Sequence, residues 1–155
     1  MFLFKKTNAS DPDFITLVKL LDSNLKITDG DDHSFYNQFN SIDDIKHVIT
    51  VYDNDVPIAC GALKHYDQQT MEVKRMYTIG SKRGKGIATE LLKQLEDWAF
   101  ALGYSRCILE TGSRQVSAIA LYKKSNYQII ENYAQYKNVE NSICFEKQLN
   151  KKGDN

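Results

Sequence analysis

The sequence predicts a mixed α/β fold, with helices covering one sheet of six or seven strands. Three observations carry that expectation. Strand-like and helix-like stretches alternate along 155 residues with no long linker between them. Two stretches, Phe14–Leu25 and Ile87–Leu102, repeat apolar residues at helical spacing. Turn-forming residues separate the remaining short, β-rich runs. At 17.8 kDa the chain is the size of one domain that buries a real core, expected over residues 1–150, with the charged residues 151–155 a disordered tail.

Residues 2–7 read as a first strand. Asp11-Pro12 supplies an N-cap followed by proline at the first helical position, and Phe14, Leu17, Val18, Leu21 and Leu25 share one face of a helix ending near residue 26. Residues 28–40 are polar and interrupted, a loop with a short helix. Strands at His47–Tyr52 and Val56–Tyr66 flank the turn signal Asp53-Asn54-Asp55. Pro57 is tolerated near the start of the second arm, because a first strand residue need not donate to the ladder. A strand at Met71–Ile79 follows, then a helix from about Gly86 to Leu102. Its stripe is Ile87, Leu91, Leu92, Leu95, Trp98, Ala99 and Leu102, and Gly103 is placed to cap it. After a strand at Arg106–Thr111, a helix over 115–125 ends at Asn126, which can take the left-handed position that glycine often fills. Gln128–Asn132 and Ser142–Leu149 are the last strands.

Composition excludes several functions. Twenty basic and twenty acidic side chains leave no net field to draw the chain to nucleic acid. No apolar run approaches the ~20 residues that span a bilayer, and Phe2-Leu3-Phe4 before Lys5-Lys6 is too short for a signal peptide. Cys60, Cys107 and Cys144 lie in apolar runs without CxxC spacing, as core thiols of a reducing, cytoplasmic compartment would. The histidines lack metal-ligand spacing, so no metal is expected.

The stretch Arg83-Gly84-Lys85-Gly86-Ile87-Ala88 sits between a strand and a helix. Two glycines, successive amides at a helix start and two cations fit an anion such as a pyrophosphate, although the same residues also suit a basic tight turn. Gly80–Gly86 is one residue short of a P-loop and ends in glycine where a metal-binding hydroxyl is needed. A dinucleotide fingerprint would put Thr89 at its third glycine and follows the fourth strand rather than the first.

Taken together, Glu72-Val73-Lys74-Arg75-Met76-Tyr77, Arg83–Ala88 and Gln115, Ala118 and Tyr122 closely resemble the GCN5-related N-acetyltransferase (GNAT) superfamily. Arg83–Ala88 matches its cradle pattern Q/R-x-x-G-x-G/A, and Gln115-x-x-Ala118-x-x-x-Tyr122 matches its N-x-x-A-x-x-x-Y element with a longer amide. The resemblance covers residues 56–147. It implies a sheet splayed between its two middle strands with helices on both faces, and acetyl-CoA as cosubstrate. It implies a small-molecule primary amine as acceptor, an amino acid included. Homodimers are common among such folds. A peptide N-acetyltransferase and a non-catalytic acyl-CoA-binding module are the alternative readings.

The resemblance also implies roles. The amides of Gly84, Lys85, Gly86, Ile87 and Ala88 would hold the pyrophosphate, with side-chain help from Arg83, Lys85 and Thr89. Backbone groups of Met76, Tyr77 and Thr78 would pair with the pantetheine arm, and an amide near Met76 or Tyr77 would polarise the acetyl carbonyl. Gln115 and Ala118 would line the same cosubstrate. Tyr122 corresponds to the tyrosine that protonates or hydrogen-bonds the departing sulfur, though it also reads as a core aromatic. Glu72 corresponds to a base acting through water, or else is a solvent-facing strand carboxylate; Glu110 is a second candidate base. Lys74 and Arg75 should point to opposite faces of a regular strand, so that one of them meets a substrate carboxylate, unless both are surface charges. Tyr36, with His33, Gln38, Phe39 and Asn40, falls where the family walls its acceptor.

Overall fold

The computed structural model describes residues 2–30 and 45–149. The strands are β1 (Phe2–Thr7), β2 (His47–Asp53), β3 (Val56–Asp67), β4 (Thr70–Thr78), β5 (Arg106–Gly112), β6 (Gln128–Ile130) and β7 (Ser142–Gln148). The helices among the described residues are α1 (Pro12–Asp29), α2 (Ile87–Ala101) and α3 (Val116–Lys124). The strands form one mixed sheet in the order β1-β2-β3-β4-β5-β7-β6. Two compact units divide the chain, residues 1–64 with 73–95 and residues 65–72 with 96–155.

In the first unit β1, β2 and β3 are antiparallel neighbours. The β2–β3 turn places Asn54 at φ 50° and Asp55 at φ 68°, the pair of left-handed residues that a two-residue hairpin needs. Pro57 lies opposite Tyr52, where the register slips between Val51 and Tyr52. An irregular ladder is where proline's missing N–H costs least. Asp11 caps α1 by accepting from Asp13 N at 2.9 Å, with Pro12 at the first helical position. The helix buries Phe14, Leu17 and Val18 in a cluster with Val48, Cys60 and Ala62, and runs to Asp29, three residues past the expected end.

Alternation along β3 puts helices on both faces of this half-sheet. Cys60 and Ala62 join the α1 cluster, while a Cβ built on Gly61 between them would lie 2.8 Å from Leu95 Cδ1 of α2 and 2.6 Å from Met76 Sδ. Glycine at 61 therefore sets how closely α2 approaches the strands. Ile87, Leu91, Leu92, Leu95 and Ala99 are buried as the periodicity requires, but Leu102 lies beyond the helix end and is 44% exposed. The expectation of a buried Leu102 is thus corrected. Gly103, at φ 100°, closes α2 with Tyr104 N donating to Ala99 O at 3.1 Å.

In the second unit β5 pairs antiparallel with β7, and β7 with β6. The parallel ladder of β4 with β5 covers Thr70↔Arg106, Met71↔Cys107 and Glu72↔Ile108, and stops there although β5 runs on to Gly112. Helix α3 ends at a six-to-one bond from Tyr127 N to Tyr122 O (3.0 Å) with Asn126 at φ 72°, the left-handed cap the sequence anticipates. Strand β6 stops at Ile130, two residues before the expected Asn132.

Candidate active site

The strand-turn-helix junction of the first unit is built by backbone conformation. After β4 a short 3₁₀ turn over Gly80–Lys82 leads to Gly84 at φ 79° and Gly86 at φ 80°. A Cβ at either glycine would meet no protein atom within 4 Å, so the requirement is conformational: L side chains rarely adopt these angles. Gly86 O accepts from Glu90 N at 3.1 Å and opens α2, leaving the first amides of a 15-residue helix as unpaired donors at its positive end. Arg83, Gly84, Lys85, Gly86 and Thr89 are exposed, Ala88 is half-buried and Ile87 is buried.

Two contacts hold this turn. Lys82 Nζ donates to Asp53 Oδ2 at 2.8 Å, tying the turn to the β2–β3 hairpin. That bond, with the charges of Lys82 and Lys85, holds the Asp53 carboxyl below its ordinary range. Arg83 Nε donates to Thr78 O at 3.0 Å and its guanidinium stands 5.9 Å from the Tyr77 ring centre. Nothing in the sequence pairs Asp53 with Lys82 except opposite charge at two turns.

Strand β4 is not regular where Lys74 and Arg75 lie. Arg75 has φ 57°, so strict alternation fails there, and the expectation that these neighbours present opposite faces of a regular strand is corrected. The Arg75 side chain is 2% exposed and forms an ion pair with Asp22 of α1, while its carbonyl accepts from Cys60 Sγ at 3.4 Å. Its cation is spent inside the unit. Lys74 is half-buried. Tyr77 is half-buried, packs on the α1 cluster and accepts from Asn24 Nδ2 at 3.4 Å; Met76 is half-buried beside Gly61. Tyr36 lies outside the described residues, with His33, Gln38, Phe39 and Asn40.

The second unit holds the three candidate catalytic side chains. Glu72 is 7% exposed, so it is not the solvent-facing carboxylate that its strand position also allowed. Its Oε2 accepts from Tyr133 O–H at 2.6 Å, a bond spanning 61 positions of sequence that no motif announces. Glu72 aligns with Ile108, and Glu110 with Cys144, so both glutamates and Cys144 share one face. Burial, with the Glu110 and Glu72 charges adding to it, pushes the Cys144 thiol up to about 11. Tyr122 packs on the other face, its ring 5.8 Å from Phe145 and 5.8 Å from Tyr127. Tyr127 is itself held, donating to Glu96 Oε2 at 2.9 Å, and Glu96 accepts from Lys147 at 2.8 Å. Burial, reinforced by the Glu110 charge, raises the Tyr122 phenol far above its ordinary value, so it keeps its proton at any working pH. Gln115 occupies the N-cap position of α3 without a side-chain cap bond, and Ala118 is half-buried on that helix.

Residues 15–127 match the model of the acetyltransferase (GNAT) family. The chain is 35% identical over 102 residues to the uncharacterized N-acetyltransferase YsnE of Bacillus subtilis, an alignment covering 64% of this chain and 68% of that protein. Among solved structures, one from Klebsiella pneumoniae described as an acyl-CoA N-acyltransferase superposes with a TM-score of 0.81 at 27% identity, covering 96% of this chain and 98% of that one. A GNAT family acetyltransferase from Elizabethkingia anophelis, solved with acetyl-CoA bound, superposes at 0.70 with 19% identity, covering 96% and 98% of the two chains.

Proposed function

Because this chain belongs to the acetyltransferase (GNAT) family, we propose that it transfers an acetyl group from acetyl-CoA to the primary amine of a small molecule. The observation that carries the reading is the pair of left-handed glycines, Gly84 and Gly86, turned into the first amides of α2. That arrangement suits a pyrophosphate. The amides of Gly84–Ala88 would hold it, with Arg83, Lys85 and Thr89 adding charge and a hydroxyl, while Gln115 and Ala118 line the remainder. Acetyl-CoA supplies the activated acyl group.

The rest of the chemistry falls to this chain. Backbone groups of Met76, Tyr77 and Thr78 pair with the pantetheine arm, and an amide at Met76 or Tyr77 polarises the acetyl carbonyl. An alkyl ammonium titrates near 10.4, so it must lose a proton before its nitrogen can attack. Glu72 is the base we assign to that step, with Glu110 as the second candidate. As the C–N bond forms and the C–S bond breaks, the nitrogen sheds its second proton, and Tyr122 protonates or hydrogen-bonds the departing sulfur, recovering from the nitrogen any proton it gives. Burial keeps the phenol neutral, a donor rather than an anion, and opposes its lasting ionisation. Lys74, on the same strand, is the cation we assign to an acidic group of the acceptor; the Arg75 cation is paired with Asp22.

Thiol release from acetyl-CoA across amines, amino acids and peptides tests the reading. Small amines should support release and peptides should not. Tyr122→Phe should lower kcat by about 10²-fold with little change in the acetyl-CoA KM. Acetyl-CoA binding without release for any amine would instead support a binding module. A pH–rate profile of Glu72→Gln against Glu110→Gln assigns the base, because the variant that keeps its limb has not lost it.

A further inference from the structure

We propose that Tyr133 is the positioning residue for Glu72, an inference that rests on the reading of Glu72 as the base. Its hydroxyl donates to Oε2 at 2.6 Å, orienting the carboxylate of a residue that is only 7% exposed, with Oε1 the oxygen we assign to take the proton. A single neutral donor orients one oxygen of the carboxylate without setting a second charge beside it. A lysine or arginine partner would hold the charge too tightly for a base.

The tyrosine is itself built into place. Its ring stands edge-on to Tyr66 of β3 at 5.5 Å and to Tyr136 at 5.8 Å. Asn132, one residue earlier, donates from Nδ2 to Val139 O at 2.9 Å and to Ser142 O at 3.1 Å, closing the loop that carries Tyr133 back onto β7. Ala134, at φ 47°, turns the chain directly after it. A loop secured on both sides of one tyrosine, whose hydroxyl reaches one carboxylate oxygen, is arranged to aim that hydroxyl.

Tyr133→Phe keeps the ring and removes the donor. The acetyl-CoA KM should stay unchanged while kcat/KM for the acceptor falls about tenfold at neutral pH, and the acidic limb of its pH profile should move up by about one pH unit. Titration of the ¹³C-labelled Glu72 carboxyl by NMR should move the same way in the apo protein. In a Glu72→Gln background Tyr133→Phe should cost nothing more, since both changes act through one group. Asn132→Ala, which opens the loop, should reproduce the limb shift in smaller measure. A profile and a carboxyl titration that superimpose on wild type would reduce Tyr133 to packing. A further loss in the double variant would show that Tyr133 acts by another route. Full activity of Glu72→Gln, with the carboxyl titration still moved by Tyr133→Phe, would instead overturn the base assignment and the positioning role with it.

Discussion

Replacing Gly61 by alanine would place a Cβ 2.6 Å from Met76 Sδ and 2.8 Å from Leu95 Cδ1, inside the 3.4 Å at which ordinary contact begins. Leu91 Cδ2, at 3.5 Å, closes the third side. The sulfur can swing aside, but Leu95 is fully buried and leads back into α2. Overpacking of this kind costs about 1–3 kcal/mol, and alanine returns about 0.5–1 kcal/mol because it loses less chain entropy in a strand than glycine does. The net loss is up to about 2.5 kcal/mol, a fall in melting temperature of up to roughly 8 °C for a chain of this size. Because α2 carries the cradle at its first turn, an outward shift of the helix should also raise the acetyl-CoA KM more than it lowers kcat. Calorimetry and thiol-release kinetics on the same preparation measure both. Met76→Val removes the sulfur and should recover part of the loss, so that the double variant is better than additive. A Gly61→Ala protein that melts at or above wild type would refute the view that this glycine sets the distance between helix and sheet.

The C-cap of α3 makes a second prediction. Asn126→Gly should keep stability within about 0.5 kcal/mol, whereas Asn126→Ala, forced to φ 72°, should lose about 1–2 kcal/mol in urea unfolding and lower kcat as the Tyr122–Tyr127 contact loosens. A third concerns pH. Burial, then the Lys46 charge, holds His47 below its ordinary 6.5, so the unfolded chain takes up its proton first and stability should fall as pH drops below about 6.5. His47→Gln should flatten that limb of the urea midpoint between pH 7 and pH 5.

What the sequence made legible was local. Gly84, Gly86 and Gly103 were readable because a left-handed turn restricts which residue can sit there, and Asn126 was readable for the same reason. The α1 and α2 stripes were readable because burial repeats with the helical period. Arg75 was not, since a positive φ in mid-strand is rare for arginine and the alternation rule assumes regularity. Nor was the Glu72–Tyr133 bond, in which two ordinary residues meet only because β4 and the loop before β7 fold together. The Asp53–Lys82 pair joins two turns that are each predictable, but its partner choice depends on where the hairpin lands.

The three cysteines bear on how all of this is measured. Each is fully buried, and burial pushes the Cys60 and Cys107 thiols up to about 12 and Cys144 to about 11. Only an exposed thiolate attacks a disulfide reagent, so the folded protein should be almost silent to such reagents. The colour that develops in a thiol-release assay then counts liberated coenzyme A alone. The same reagent added without substrate becomes a folding gauge, reading three equivalents as the core opens. One chromophore can therefore tell a variant that has lost its chemistry from one that has lost its fold.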